Sequence, residues 1–127
     1  VFFTHIVIGS NDLERSRRFY DAIFAAMDLP AGVIDPKGRL VYAKDGQRLL
    51  LTTPINGLPA TFANGGTIGI LLPSNEAVDV WHSAGLTNGG QSAEDPPGFR
   101  TVAGRQIYLA YLRDPDGNKL CASHRPS

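Results

Sequence analysis

The sequence predicts an α+β protein made of two similar units, each running strand, helix and then a pair of strands, with room for one extra strand apiece. Three observations carry this reading: two strand-to-helix junctions, two Asp-Gly hairpin signals, and spacings that superpose the first set on the second. An offset of 62 places His5 on Thr67, Asp12 on Ser74, Glu14 on Glu76 and Phe19 on Trp81. For the later hairpins the offset is 71, which puts Asp45-Gly46 on Asp116-Gly117, Arg48 on Lys119 and Leu49 on Leu120. The nine-residue difference falls in the long second connection.

Residues 2–9 are rich in β-branched and aromatic side chains and run into Ser10-Asn11-Asp12, a helix-capping cluster. From 13 to 27, Leu13, Phe19, Tyr20, Ile23, Phe24 and Met27 form one apolar helical stripe, with Glu14, Arg15, Arg17 and Arg18 on the other surface. Leu29-Pro30-Ala31-Gly32 ends that helix. Strands follow at 39–44 and 48–53 around Asp45-Gly46, then a turn-rich loop at 54–66. The order repeats with a strand at 67–72, a cap at Pro73-Ser74-Asn75 and a helix at 76–86. Residues 87–105, rich in Gly, Pro, Ser and Asn, read mainly as loop, and strands at 106–112 and 119–124 close the chain. Residues 1–127 are thus expected to form one domain, its first module at 1–57 and its second at 66–125.

A length of 127 residues suits one domain and is too short for two of full size. The 12 Lys and Arg balance 12 Asp and Glu, so the zero net charge argues against nucleic acid or a polybasic membrane surface as partner. A single cysteine excludes an internal disulfide and a CxxC zinc site. The longest apolar runs are strand-sized, and the opening Val-Phe-Phe-Thr-His carries no signal-peptide pattern. A soluble cytoplasmic protein is expected, with neither nucleic-acid nor membrane partners.

The run Thr4-His5-Ile6-Val7 leading to Asn11-Asp12-Leu13-Glu14-Arg15-Ser16-Arg17-Arg18-Phe19-Tyr20 resembles the opening of vicinal oxygen chelate proteins, which include glyoxalase I, extradiol dioxygenases and bleomycin or fosfomycin resistance proteins. The ending Tyr108-Leu109-Ala110-Tyr111-Leu112-Arg113-Asp114-Pro115-Asp116-Gly117-Asn118 is similar to that superfamily's last hairpin. The resemblance implies two βαβββ modules whose curved mixed sheet forms a cup around a small-molecule ligand, commonly completed in a homodimer. It implies either a lyase, isomerase or dioxygenase-type enzyme acting on a small oxygenated substrate, or a metal-free binding or drug-sequestering protein. In metal-dependent members a divalent cation with open positions polarises the substrate oxygens. Carried over, its four ligand places fall on His5, Leu50, Thr67 and Cys121. Only His5 matches the usual His, Glu or Gln. Mg or Mn wants carboxylate oxygens, and His5 with Cys121 falls short of a zinc ligand set, so a metal cofactor is disfavoured.

If Ile6 and Ile8 pack under the helix, alternation turns Phe3, His5 and Val7 toward the cup. His5 is then a candidate polar contact or general base, against the plainer reading of a histidine satisfied by a local hydrogen bond. Cys121 reads as a small half-buried hydrophobe or as a nucleophile. Tyr108 and Tyr111, on strands, offer phenols to a ligand. Arg39 and Arg105, each just before a strand, are candidate anion contacts at the rim. The expected ligand cavity therefore comprises His5, Leu50, Thr67, Tyr108, Tyr111, Cys121 and Arg105, with residues 98–104 as a ligand-shaping loop.

Overall fold

The computed structural model describes residues 2–125, so residues 1, 126 and 127 of the expected domain lie outside it. In chain order the elements are β1 (His5–Gly9), α1 (Leu13–Ala25), β2 (Val33–Ile34), β3 (Leu40–Lys44), β4 (Gln47–Thr52), β5 (Ile68–Leu71), α2 (Asn75–Thr87), β6 (Gln91–Val102), β7 (Arg105–Arg113) and β8 (Lys119–His124). They build two four-stranded mixed sheets of the same topology, β1-β4-β3-β2 and β5-β8-β7-β6. In each, the first strand pairs parallel with the last and the others are antiparallel. Two βαβββ modules result, and both helices keep the sequence offset of 62.

Each helix begins where its cap predicts. The Asp12 carboxylate accepts from the Arg15 N–H at 3.1 Å, and the Ser74 hydroxyl oxygen accepts from the Ala77 N–H at 3.0 Å. The apolar stripe of α1 buries Phe19, Tyr20, Ile23 and Phe24 against Leu40, Tyr42 and Leu51. In the second module Val78 and Trp81 pack on Ala110, Leu112, Leu120 and Ala122. The helices also pack on each other, so the two modules share one core on the helix side of both sheets.

Two strands depart from the sequence reading. Residues 87–105 are not mainly loop, because Gln91–Val102 forms a twelve-residue strand that absorbs the expected loop at 98–104. Its glycine and two prolines are tolerated because β6 is an edge strand whose register shifts between Ala93 and Gly98, leaving Pro96 and Pro97 in a bulge with no ladder bond to donate. Glu94 in this bulge takes a φ of 56°. The two-residue strand β2 is too short to leave a periodic signal. Of the strand expected at 2–9, only His5–Gly9 pairs with β4.

The Asp-Pro-Asp-Gly-Asn turn between β7 and β8 joins the modules. Asp114 is buried, and its carboxylate accepts from the Tyr20 hydroxyl at 2.6 Å and from the Asp116 and Asn118 N–H groups and the Asn118 side-chain amide at 2.9 Å. Asp116 accepts from the Arg15 guanidinium at 2.7 Å and the Asn11 N–H at 3.1 Å. The Asn118 side chain donates to the Gly9 carbonyl at 3.1 Å. Every one of these inter-module partners lies in the first module, on β1, α1 or the segment between them. Burial and the Asp114 carboxylate together hold the Tyr20 phenol protonated far above its ordinary range.

Candidate functional site

Register assigns each side chain to a face. In the first sheet Ile6, Ile8, Leu40, Tyr42, Leu49 and Leu51 face α1, whereas His5, Val7, Val41, Arg48 and Leu50 share the open face. In the second, Ile68, Ile70, Ala110, Leu112, Leu120 and Ala122 face α2, and Gly69, Leu109, Tyr111, Lys119 and Cys121 face the open side. Thr67 precedes β5 in phase with Gly69.

The four places carried over from the metal-dependent pattern thus lie on the open faces, but their chemistry differs. His5 is exposed, with its Nδ1 2.8 Å from the Thr4 hydroxyl. Leu50 is fully buried, so its alkyl chain packs inside the protein rather than lining a surface cavity. Thr67 supplies a hydroxyl on the outer edge of the second sheet. Cys121 is half-buried beside Tyr111, and burial pushes its thiol up from the ordinary range, with the Tyr111 hydroxyl pulling it part of the way back. A neutral, half-buried thiol is a poor nucleophile. Among the described residues no three His, Cys, Asp or Glu side chains converge where an ion could be held. One imidazole, one thiol, one hydroxyl and one alkyl chain do not fit a divalent cation.

Tyr108 does not belong to the open face. It lies in phase with Ala110, and its hydroxyl donates to Asp79 of α2 at 2.6 Å while its ring meets Phe99 edge-on. The sequence pattern was ambiguous because Tyr108 and Tyr111 sit three apart on one strand, an odd spacing that sends them to opposite faces. Arg105 is exposed at the β6–β7 turn. Arg39 is spent on its own turn, its guanidinium held at 2.7 Å by Asp35.

Around Cys121 and Tyr111 the open face of the second module carries charges that the sequence reading did not single out. The Lys119 ammonium pairs with Glu94 in the β6 bulge and lies 4.9 Å from the centre of the Tyr111 ring. Arg100 donates to the Asp95 and Pro96 carbonyls at 3.0 and 2.8 Å, which braces the bulge. Only the bulge brings Glu94 to this face, so no regular strand pattern could have revealed the cluster.

Two cavities lie elsewhere, and neither is lined by this cluster. One, of about 470 Å³, lies beneath the inter-module loop and is lined by Val7, Thr52, Pro54, Asn56, Leu58 and Ala60, among others. The loop is held there by Asn11, whose amide exchanges two hydrogen bonds with the backbone of Ala60 at 2.7 and 3.1 Å. The second, of about 480 Å³, opens between β1 and β5, which are edge strands of their separate sheets. His5 and Thr67 both line it.

Comparison with solved structures places this architecture. A glyoxalase/bleomycin resistance protein from Albidiferax ferrireducens T118 is 49% identical and superposes with a TM-score of 0.94, covering 98% of this chain and 100% of its own. The chain belongs to the glyoxalase/bleomycin resistance protein family. Within this family's fold it also superposes on a glyoxalase-related enzyme from Fulvimarina pelagi at 22% identity and a TM-score of 0.75, covering 98% of this chain and 88% of that one. A lactoylglutathione lyase from Agrobacterium tumefaciens follows at 21% identity and a TM-score of 0.65, over 96% and 92% of the two chains. At such identities these two speak to the fold alone. Neither protein-family models nor curated proteins give a match to the sequence. Among the described residues no helix is long and apolar enough to cross a membrane.

Proposed function

We propose that this member of the glyoxalase/bleomycin resistance family is a metal-independent small-molecule-binding protein whose ligand occupies the cavity between β1 and β5. The donor set carries the reading: of the four places that hold metal in metal-dependent members, only His5 bears a metal-binding imidazole, and Leu50 is sealed inside the protein. The cavity supports it, since about 480 Å³ lies within the ordinary range for small-molecule sites and apolar walls with a few polar groups are what such sites offer. An enzymatic role through a Lewis acid would need donors that these residues do not supply.

The test is ligand screening by thermal shift on protein purified without chelator, repeated after metal removal. Hits that raise the melting temperature equally before and after chelation are the expected outcome, because binding to the native state stabilises it. Stoichiometric bound metal, with ligand shifts abolished by its removal, would overturn the proposal. Family resemblance and the exposed apolar side chains Val33, Ile34, Ile55 and Leu58 also support a homodimer. Sedimentation at micromolar concentration checks this, a monomer being the contrary result.

A further inference from the structure

Resting on the binding reading above, we infer that the β1–β5 cavity takes an apolar molecule ending in a carboxylate, with its apolar body beneath the end of α1 and its carboxylate at Arg48 and His5. The inner wall is apolar: Ile6 and Leu49 from the first sheet, Phe24 from α1, Met27 and Leu29 just beyond it, and Ile70 across the gap. Tyr42 also lines the cavity, but its hydroxyl is already committed, donating to Asp21 at 2.6 Å. The deep end therefore recognises shape and apolar surface rather than a polar group.

The mouth is different. His5 and Arg48 are register partners on β1 and β4, so they stand side by side on the same face, and both line the cavity. Among the described residues no side chain pairs with the Arg48 guanidinium, in contrast to Arg15 and Arg39, each of which is held by an aspartate at 2.7 Å. The His5 ring is engaged through Nδ1, and among the described residues Nε2 has no hydrogen-bond partner. Lys44 adds a second cation, and Asp45, the one carboxylate among the described lining residues, sits 3.9 Å from it in an exposed pair. The mouth thus holds two permanent cations and an imidazole against one acid. A guanidinium fork suits a planar carboxylate, which it can bind through two parallel hydrogen bonds. The outer edge of β5, without a strand partner, lends backbone N–H and C=O groups along the same cavity.

The experiment measures binding of decanoate and 1-decanol to the full chain by calorimetry, in wild type and two variants. Both should bind wild type, decanoate more tightly. Arg48→Gln, at an exposed position, should weaken decanoate about tenfold and leave 1-decanol within about twofold. Met27→Trp, which fills the deep end, should abolish both. If 1-decanol binds as well as decanoate and Arg48→Gln changes neither, the carboxylate inference is overturned while the cavity reading stands. If neither compound binds and no apolar compound in the thermal-shift screen does either, the cavity reading itself falls. Amide protection of Ile68–Leu71 that grows with protein concentration in the absence of ligand would mean that a second copy covers the β5 edge, and would also overturn the inference.

Discussion

The two modules place a hairpin turn at corresponding positions, and the turns do opposite work. Asp45-Gly46 in the first is a tight turn with both residues at positive φ, 52° and 80°, and the Asp45 side chain is 85% exposed. Its counterpart in the second is lengthened into the Asp114–Asn118 loop, whose acidic groups are buried against β1, α1 and the cap of the other module. Duplication supplies the scaffold twice. What each copy is used for depends on what lies within hydrogen-bonding reach of it. The motif that most resembles the superfamily is in this chain a structural clasp between modules, away from the cavity between β1 and β5.

Breaking the clasp gives the largest expected effect. Asp114→Ala removes a buried acceptor of four hydrogen bonds and leaves the Tyr20 hydroxyl and the Asn118 amide without it, a loss of about 3–5 kcal/mol in chemical denaturation. Asp45→Ala at the exposed turn removes no buried partner and places alanine in a left-handed conformation, so it should cost only about 1 kcal/mol, and equal losses at the two sites would refute the contrast.

The open faces sharpen the comparison. Leu50 and Cys121 correspond across the repeat, one sealed and one half-buried. Because burial raises the Cys121 thiol, iodoacetamide should alkylate it about tenfold more slowly at pH 8 than an unstructured cysteine peptide, which has a pKa of about 8.5. Reaction at the peptide's rate would show a more accessible, more acidic thiol than this environment provides.

A smaller effect concerns the turns after β3 and β6. Ala103-Gly104 adopts the same conformation as Asp45-Gly46, with φ of 50° and 77°, although alanine is poorly suited to it. Ala103→Asn should therefore stabilise the protein by about 1 kcal/mol, measured as a rise in Tm. The same substitution at Asp45, where an Asx residue already stands, should change little.

The smallest effect is pH-dependent. His82 of α2 is buried with its Nε2 2.9 Å from the Ser92 hydroxyl, and burial lowers its pKa below the ordinary 6.5 against the opposing pull of Asp79. The unfolded chain then binds the proton more readily than the native one, so this contribution is fully present above about pH 6.5 and is lost as pH falls through and below that value. His82→Gln should flatten the Tm profile between pH 5 and 7. A profile unchanged by the substitution would assign the acid sensitivity elsewhere.

Much of the fold was legible because its signals are local. Caps, a 3.6-residue apolar stripe and Asp-Gly turns act over a few residues, and both helices and the strands around Asp45-Gly46 appear where these signals stand. Strand β6 was not legible, since Gly and Pro disfavour strands in general and only its edge position with a bulge makes them acceptable. The site was legible in part. Alternation turns His5 outward, yet it could not show that Leu50 is sealed or that Glu94 reaches the face of Tyr111.

The sequence by itself determined the duplication, the element types of both helices and the identity of the residues at the four ligand places, because each is a matter of periodicity or composition along the chain. The tertiary structure decided which of those residues meet. It joined the modules through Asp114 and Asp116, committed Tyr108 to Asp79, and set Arg48 beside His5 at the mouth of an apolar cavity, without a side-chain partner among the described residues. These outcomes depend on contacts between residues far apart in the chain, where burial and the pairing of charges, rather than local propensity, set the free energy.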